Sequence, residues 1–156
     1  MCIIIDVNTF PAVFDDKNRQ HNKFRPILCW ITDGRGKIVL GGTTYRNELR
    51  KLKKFISLMS QLEKAGKLAP VNDREVDRVE SRLRKLSICR GFDDCHIVAI
   101  VIVSSCRLVC SLDKSLHSYL KNKQLYPNNC KRPYIFVGHT SNHSLLCDEN
   151  IAAICC

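Results

Sequence analysis

The sequence predicts an α/β fold built on a mostly parallel sheet of four to five strands flanked by helices. Short, almost wholly apolar runs recur along it: CIII at 2–5, KIVL at 37–40, RLVC at 107–110 and YIFV at 134–137. Runs without polar alternation suit strands covered on both faces, as in a parallel sheet. Between them lie segments whose apolar residues recur at helical spacing, and that alternation of strand and helix marks an α/β chain. No repeat, low-complexity segment or linker interrupts 1–156, so a single domain is expected, long enough for one core.

CIII reads as the first strand and ends at Asp6. Residues 9–24 are polar and mixed, a loop with a helical turn. In PILCWITDGRGKIVLGG, Pro26 suits the first turn of a helix and Asp33-Gly34 its stop. KIVL then reads as a second strand, with a hairpin around DGRG as the rival. Thr43 and Thr44 are N-cap candidates. Beyond them Glu48, Leu52, Phe55, Met59 and Leu62 share one helix face, and Gly66 closes the helix.

A second helix over 73–87 turns Val76, Val79, Leu83 and Leu86 inward. Its stripe of Arg74, Arg78, Arg82 and Lys85 is either an RNA track or a plain solvated face, since Asp73, Glu75, Asp77 and Glu80 partly neutralise it. The stretch 94–105 is ambiguous: its Ile and Val favour a strand, its length a buried helix. RLVC is a short strand and 113–121 a helix with Leu116, Tyr119 and Leu120 apolar. YIFV is a late strand, and 144–156 reads as a terminal helix.

The hydrophobic fraction of 45% and charged fraction of 26% are those of a soluble globular chain. No run of about 18 apolar residues suggests a membrane span. Twenty-five Lys and Arg against 15 Asp and Glu leave +10, which favours a polyanionic partner, nucleic acid first. The bland alternative is a basic surface with no dedicated partner. Ten cysteines form no CxxC pair and lie mostly in apolar runs such as PILCW and RLVCS, where free Cys is a small hydrophobe. No signal-peptide pattern opens the chain. A reducing cytoplasm with mostly free thiols is expected.

Four acids stand out by position. Asp6 ends the first strand and Asp113 follows RLVC, and in open parallel sheets sites form beyond the carboxyl ends of strands. Glu48 stands at the amino end of an apolar helix face. Asp94, read on a helix, shares a face with Ile97, Val98 and Val101. Two strand ends and two helix starts can therefore gather four carboxylates. Such a group repels itself unless a cation such as Mg²⁺ or Mn²⁺ relieves it. The bland readings are dipole-favoured acids for Glu48 and Asp94, and caps for Asp93, Asp113 and Asp6.

The pieces IIIDVN, YRNEL, DDCHIVA and LVCSLDKSL, in that order over roughly residues 2–137, resemble the PIN domain. This family of metal-dependent ribonucleases includes the VapC toxins of bacterial toxin–antitoxin pairs. The resemblance implies a three-layer fold with 94–105 helical, stabilised by burial rather than propensity. It implies Asp6, Glu48, Asp94 and Asp113 as catalytic, metal-binding acids, holding Mg²⁺ or Mn²⁺ for the hydrolysis of single-stranded RNA. Ile97 and Ala99 stand where the family's third motif requires them relative to Asp94, which prefers Asp94 to Asp93. Ser111 would hold a metal water or a phosphate oxygen, and Asn8 would steady the Asp6 loop. A cognate antitoxin and a homodimer are implied partners. The departures are the many cysteines, the KIVLGG segment and the histidine-rich tail.

Rival readings are a zinc site on His139, His143 and Cys147 or on Cys106 and Cys110, whose fourfold spacings align on a helix, and cysteine nucleophile chemistry. The serious alternative is a non-catalytic RNA-binding or regulatory module on the same fold. His96 and His117 read as surface or half-buried helix residues rather than ligands.

Overall fold

The computed structural model describes residues 2–147 and 153–155. Among them, five strands form one parallel sheet: β1 (Cys2–Ile5), β2 (Lys37–Leu40), β3 (Leu68–Pro70), β4 (Leu108–Cys110) and β5 (Tyr134–Phe136). The spatial order is β3-β2-β1-β4-β5. β1 is central, Ile3 pairing with Ile38 and Ile4 with Val109. Its residues alternate between two cores. Ile3 and Ile5 pack with Phe10, Phe24, Ile27 and Ile31 on one face. Cys2 and Ile4 pack with Tyr45, Val76, Ile97 and Val101 on the other. The result is three layers, helix–sheet–helix, and no hairpin forms around DGRG because the segment before it, His21–Thr32, is a helix rather than a strand.

On the first face lie α1 (Phe10–Phe14) and α2 (His21–Thr32). α2 starts well before Pro26, which sits inside it. Proline there removes one helical hydrogen bond; the complete burial of Phe24, Ile27 and Ile31 offsets that loss. The expected helix from Thr43 to Gly66 is two, α3 (Thr43–Lys51) and α4 (Ile56–Lys64), broken at Leu52. The break has a packing reason. Tyr45 of α3 belongs to one core, whereas Phe55 and Leu62 belong to the other. One straight helix cannot serve both faces of the sheet. β3 lacked an alternation signal; it is an edge strand, where Pro70 is tolerated.

The second face carries α5 (Asp73–Arg84) and α6 (Cys95–Ser104), and α7 (Lys114–Lys121) follows β4. α5 ends early, leaving Leu86 39% exposed rather than inward. α6 is a helix despite its β-branched content: every residue from Cys95 to Val101 is buried, so packing overrides propensity. It stops at Ser105, whose φ is 57°. Within 144–156, the described residues form short 3₁₀ turns at Thr140–Leu145 and Ala153–Cys155 in place of the expected helix; residues 148–152 and Cys156 lie outside the described residues. The turn at 153–155 returns to the sheet, and Cys155 forms a disulfide with Cys2, against the expectation for that pair. Cys89, Cys95, Cys106 and Cys110 are buried thiols. No helix among the described residues is long and apolar enough to cross a membrane.

Candidate active site

The chain leaves β1 toward β2 on one side and later returns to place β4 on the other, so the sheet's topological switch lies between β1 and β4. Crevices at such points, beyond the strands' carboxyl ends, are where ligands bind in open α/β sheets. Asp6 and Asp113 stand there. α6 leads into β4, so its first turn and Asp94 begin at the same edge. α3 begins there too, after β2, and carries Glu48 in its second turn.

Asp6 is almost wholly buried, at 4% exposure. Its Oδ2 accepts a 2.8 Å hydrogen bond from Ser111 Oγ, and its Oδ1 accepts one from the Asn8 backbone N–H. Burial pushes its pKa up against these hydrogen bonds, and Asp113 adds repulsion. Ser111 also accepts from the Asp113 N–H at 3.0 Å, so its hydroxyl ties the end of β1 to the loop after β4. The hydroxyl proton of Ser111 is committed to Asp6. Asn8 steadies Asp6 through its backbone, with its side chain exposed.

Asp94 holds the N-cap position of α6, which the sequence reading gave to Asp93, yet makes no capping bond. Its carboxylate is left for the crevice. Burial, then Asp6, Asp113 and Asp93, push its pKa up to about 6. Asp93 is exposed, and its carbonyl accepts from Arg84. Glu48, with a side chain 35% exposed, is raised by burial and then by Asp94 and Asp6. Asp113 differs. It caps α7, accepting from Ser115 N–H and Oγ at 2.7 and 2.9 Å. Burial raises it, but these bonds outweigh burial and hold it below the usual carboxylate range. The fold therefore brings all four predicted acids into one electrostatic group.

Several residues of this edge escaped the sequence reading. His96, expected near the surface, is buried at 1% exposure with Nε2 3.3 Å from Glu48 Oε2. Burial lowers its pKa against the pull of Glu80. Its Nδ1 has no hydrogen-bond partner. Tyr45 donates to the Ile5 carbonyl at 2.6 Å, fixing α3 against the residue before Asp6. Thr9 Oγ1 accepts from Leu112 N–H, a second tie between the β1 and β4 loops. Glu80, read as part of a solvated stripe, is buried; it accepts from Thr44 and from Arg84, the latter at 2.7 Å. The α3 amino end is capped by Asp73 and Asp77 of α5, which accept from the N–H groups of Gly42 and Thr43. Gly42 is the N-cap in place of the threonines. Its φ of 83° and the 2.5 Å that would separate a Cβ from Val76 both require glycine.

The donors fit a hard divalent cation by type, being carboxylate oxygens, and three of the four are held uncomfortably by burial and by one another. Among the described residues no three His, Cys, Asp or Glu side chains stand close enough to hold an ion as placed. The rival zinc set fares no better: Cys106 and Cys110 flank and end a strand rather than sharing a helix, and His139 Nδ1 lies 2.8 Å from Ser141 Oγ. Compared with protein-family models, curated proteins and solved structures, the chain gives no match.

Proposed function

We propose that the chain is a metal-dependent endoribonuclease of PIN type, hydrolysing phosphodiester bonds of single-stranded RNA. The observation that carries the reading is the coupling of Asp6, Glu48, Asp94 and Asp113 at the switch point of a parallel sheet in a strongly basic chain. Asp6, Glu48, Asp94 and Asp113 would hold the ion. When bound, Mg²⁺ or Mn²⁺ supplies an activated water and charge stabilisation at the phosphate. Ser111 and the Asn8 amide orient Asp6. His96 and Tyr45 position α3, and with it Glu48. Among the described residues no three His, Cys, Asp or Glu side chains stand close enough to hold an ion as placed, so these acids would have to draw together to hold one.

The same openness favours a second reading, a non-catalytic RNA-binding module on this fold. Asp6→Asn with Asp94→Asn, assayed for Mn²⁺-dependent cutting of single-stranded RNA, decides between them. Loss of at least about a hundredfold in rate is expected on the nuclease reading. Wild type that binds RNA without cutting it gives the site to the module instead. A cognate antitoxin, a homodimer and a cytoplasmic setting accompany the toxin form of the proposal. Co-expression with the product of a neighbouring small reading frame tests the first: growth arrest relieved by that product is the expected result.

A further inference from the structure

A second charged site lies at the opposite end of the sheet. Arg107 immediately precedes β4 and Tyr134 opens β5; the Tyr134 N–H donates to the Arg107 carbonyl at 2.7 Å. Both therefore mark the strands' amino ends, whereas the acids mark the carboxyl ends. α7 runs back from Asp113 to deliver Lys121 to the same amino edge. There a pocket of about 460 Å³ is lined by Arg107, Lys121, Lys123, Lys131, Arg132 and Tyr134, with no carboxylate among its described lining residues. A volume of this order suits a nucleotide-sized ligand.

Two details give the pocket chemistry beyond its charge. Arg107 lies over the Tyr134 ring, its Cζ 5.2 Å from the centroid, while the tyrosine is 48% exposed. The Nε of Arg107 is buried and has no hydrogen-bond partner. An unsatisfied buried donor of this kind is costly, and an anionic oxygen is the acceptor that best relieves it. Lys123 and Lys131 are exposed and make no ion pair among the described residues. The cations offer phosphate contacts and the tyrosine an aromatic face for a base, the combination that binds single strands without sequence readout.

We propose that this pocket binds the phosphates of single-stranded nucleic acid, with a base stacked at Tyr134, as a site separate from the acidic edge. It does not depend on the nuclease reading: it requires binding, not cutting.

The test is fluorescence anisotropy of the full chain with a short labelled oligoribonucleotide in chelator, across a range of salt. For Lys123→Ala with Lys131→Ala, we expect about tenfold weaker binding and a log–log salt slope shallower by about 1.4, the loss of two single-strand phosphate contacts. Tyr134→Leu should weaken binding about tenfold with the slope unchanged. Lys17→Ala with Lys64→Ala, exposed lysines elsewhere, is the control. The proposal is overturned if the control pair loses as much as the pocket pair, or if Tyr134→Leu binds like wild type. It is overturned equally if polyglutamate competes as well as RNA. AMP and inorganic phosphate separate a strand from a free small anion, and either one saturating the site at the strand's own concentration sinks the strand assignment.

Discussion

The two ends of the sheet carry opposite charge by opposite means. At the carboxyl end the carboxylates are short side chains, partly or wholly buried, each with a close polar neighbour: Ser111 on Asp6, Ser115 on Asp113, buried His96 beside Glu48. At the amino end the cations other than half-buried Arg107 ride on long, exposed side chains from a helix terminus and a loop. An acidic site in a chain of net charge +10 has to be built and shielded, and it is held against burial and self-repulsion. A basic site needs little more than proximity, because lysine and arginine reach water by themselves.

Chelation should separate the two ends most sharply. EDTA is expected to remove RNA cleavage by at least about a hundredfold. Oligonucleotide binding should stay within about twofold of its value with Mn²⁺, because phosphate contacts by Lys and Arg need no metal. Equal loss of both, measured side by side, would merge the two sites into one.

Next in size is the support of the acidic end. Arg84 pairs with buried Glu80 and reaches the Asp93 carbonyl, tying α5 to the start of α6. Arg84→Met should cost about 2 kcal/mol, because Glu80 stays buried with only Thr44 as partner. Urea unfolding checks this, and a loss within experimental error would show that the acidic end needs no such brace.

The smallest effect has the opposite sign. Asp94 has a folded pKa of about 6, above its ordinary value of 3.8. The fold therefore favours the protonated acid, and that contribution is complete below about pH 3.8 and lost as pH rises through about 6. Metal-free protein should melt higher at pH 5 than at pH 7 by this group's share. Asp94→Asn should raise metal-free stability at pH 7 by about 1 kcal/mol, the shift being discounted for partial exposure. Destabilisation by Asp94→Asn in chelator would contradict the picture of a strained acidic cluster.

Strand ends were legible in the sequence because a parallel strand announces itself by an apolar run and stops at the first polar residue. Asp6 followed directly from that rule, and Asp113, three residues past RLVC, from the direction of its strand. α6 did not: its period is hidden when every face is buried, and only the resemblance made 94–105 a helix. The difference between Asp93 and Asp94 was half legible, since their unequal roles were expected but the N-cap position falls to Asp94. Glu80, His96, Tyr45 and Thr9 were not legible. Each acquires its role from a partner on another element, as Glu80 does from Thr44 of α3, and no local pattern names that partner. The break at Leu52 was hidden likewise, because it answers to which face of the sheet each half covers.

The central place of β1 also bears on how the chain is made. Asp6 and Ser111 are 105 residues apart in sequence, and β1 has β4 as its neighbour on that side. During synthesis β1, β2 and β3 emerge early, and β1 then presents an uncovered edge. Such an edge is a template for mispairing until its partner arrives. Non-local parallel pairing of this kind also folds slowly. The acidic cluster cannot assemble until β4 and the loop bearing Asp113 have been made. On the nuclease proposal a growing chain would be inert through most of its synthesis, and the stretch that completes the acidic cluster also covers the exposed edge of β1.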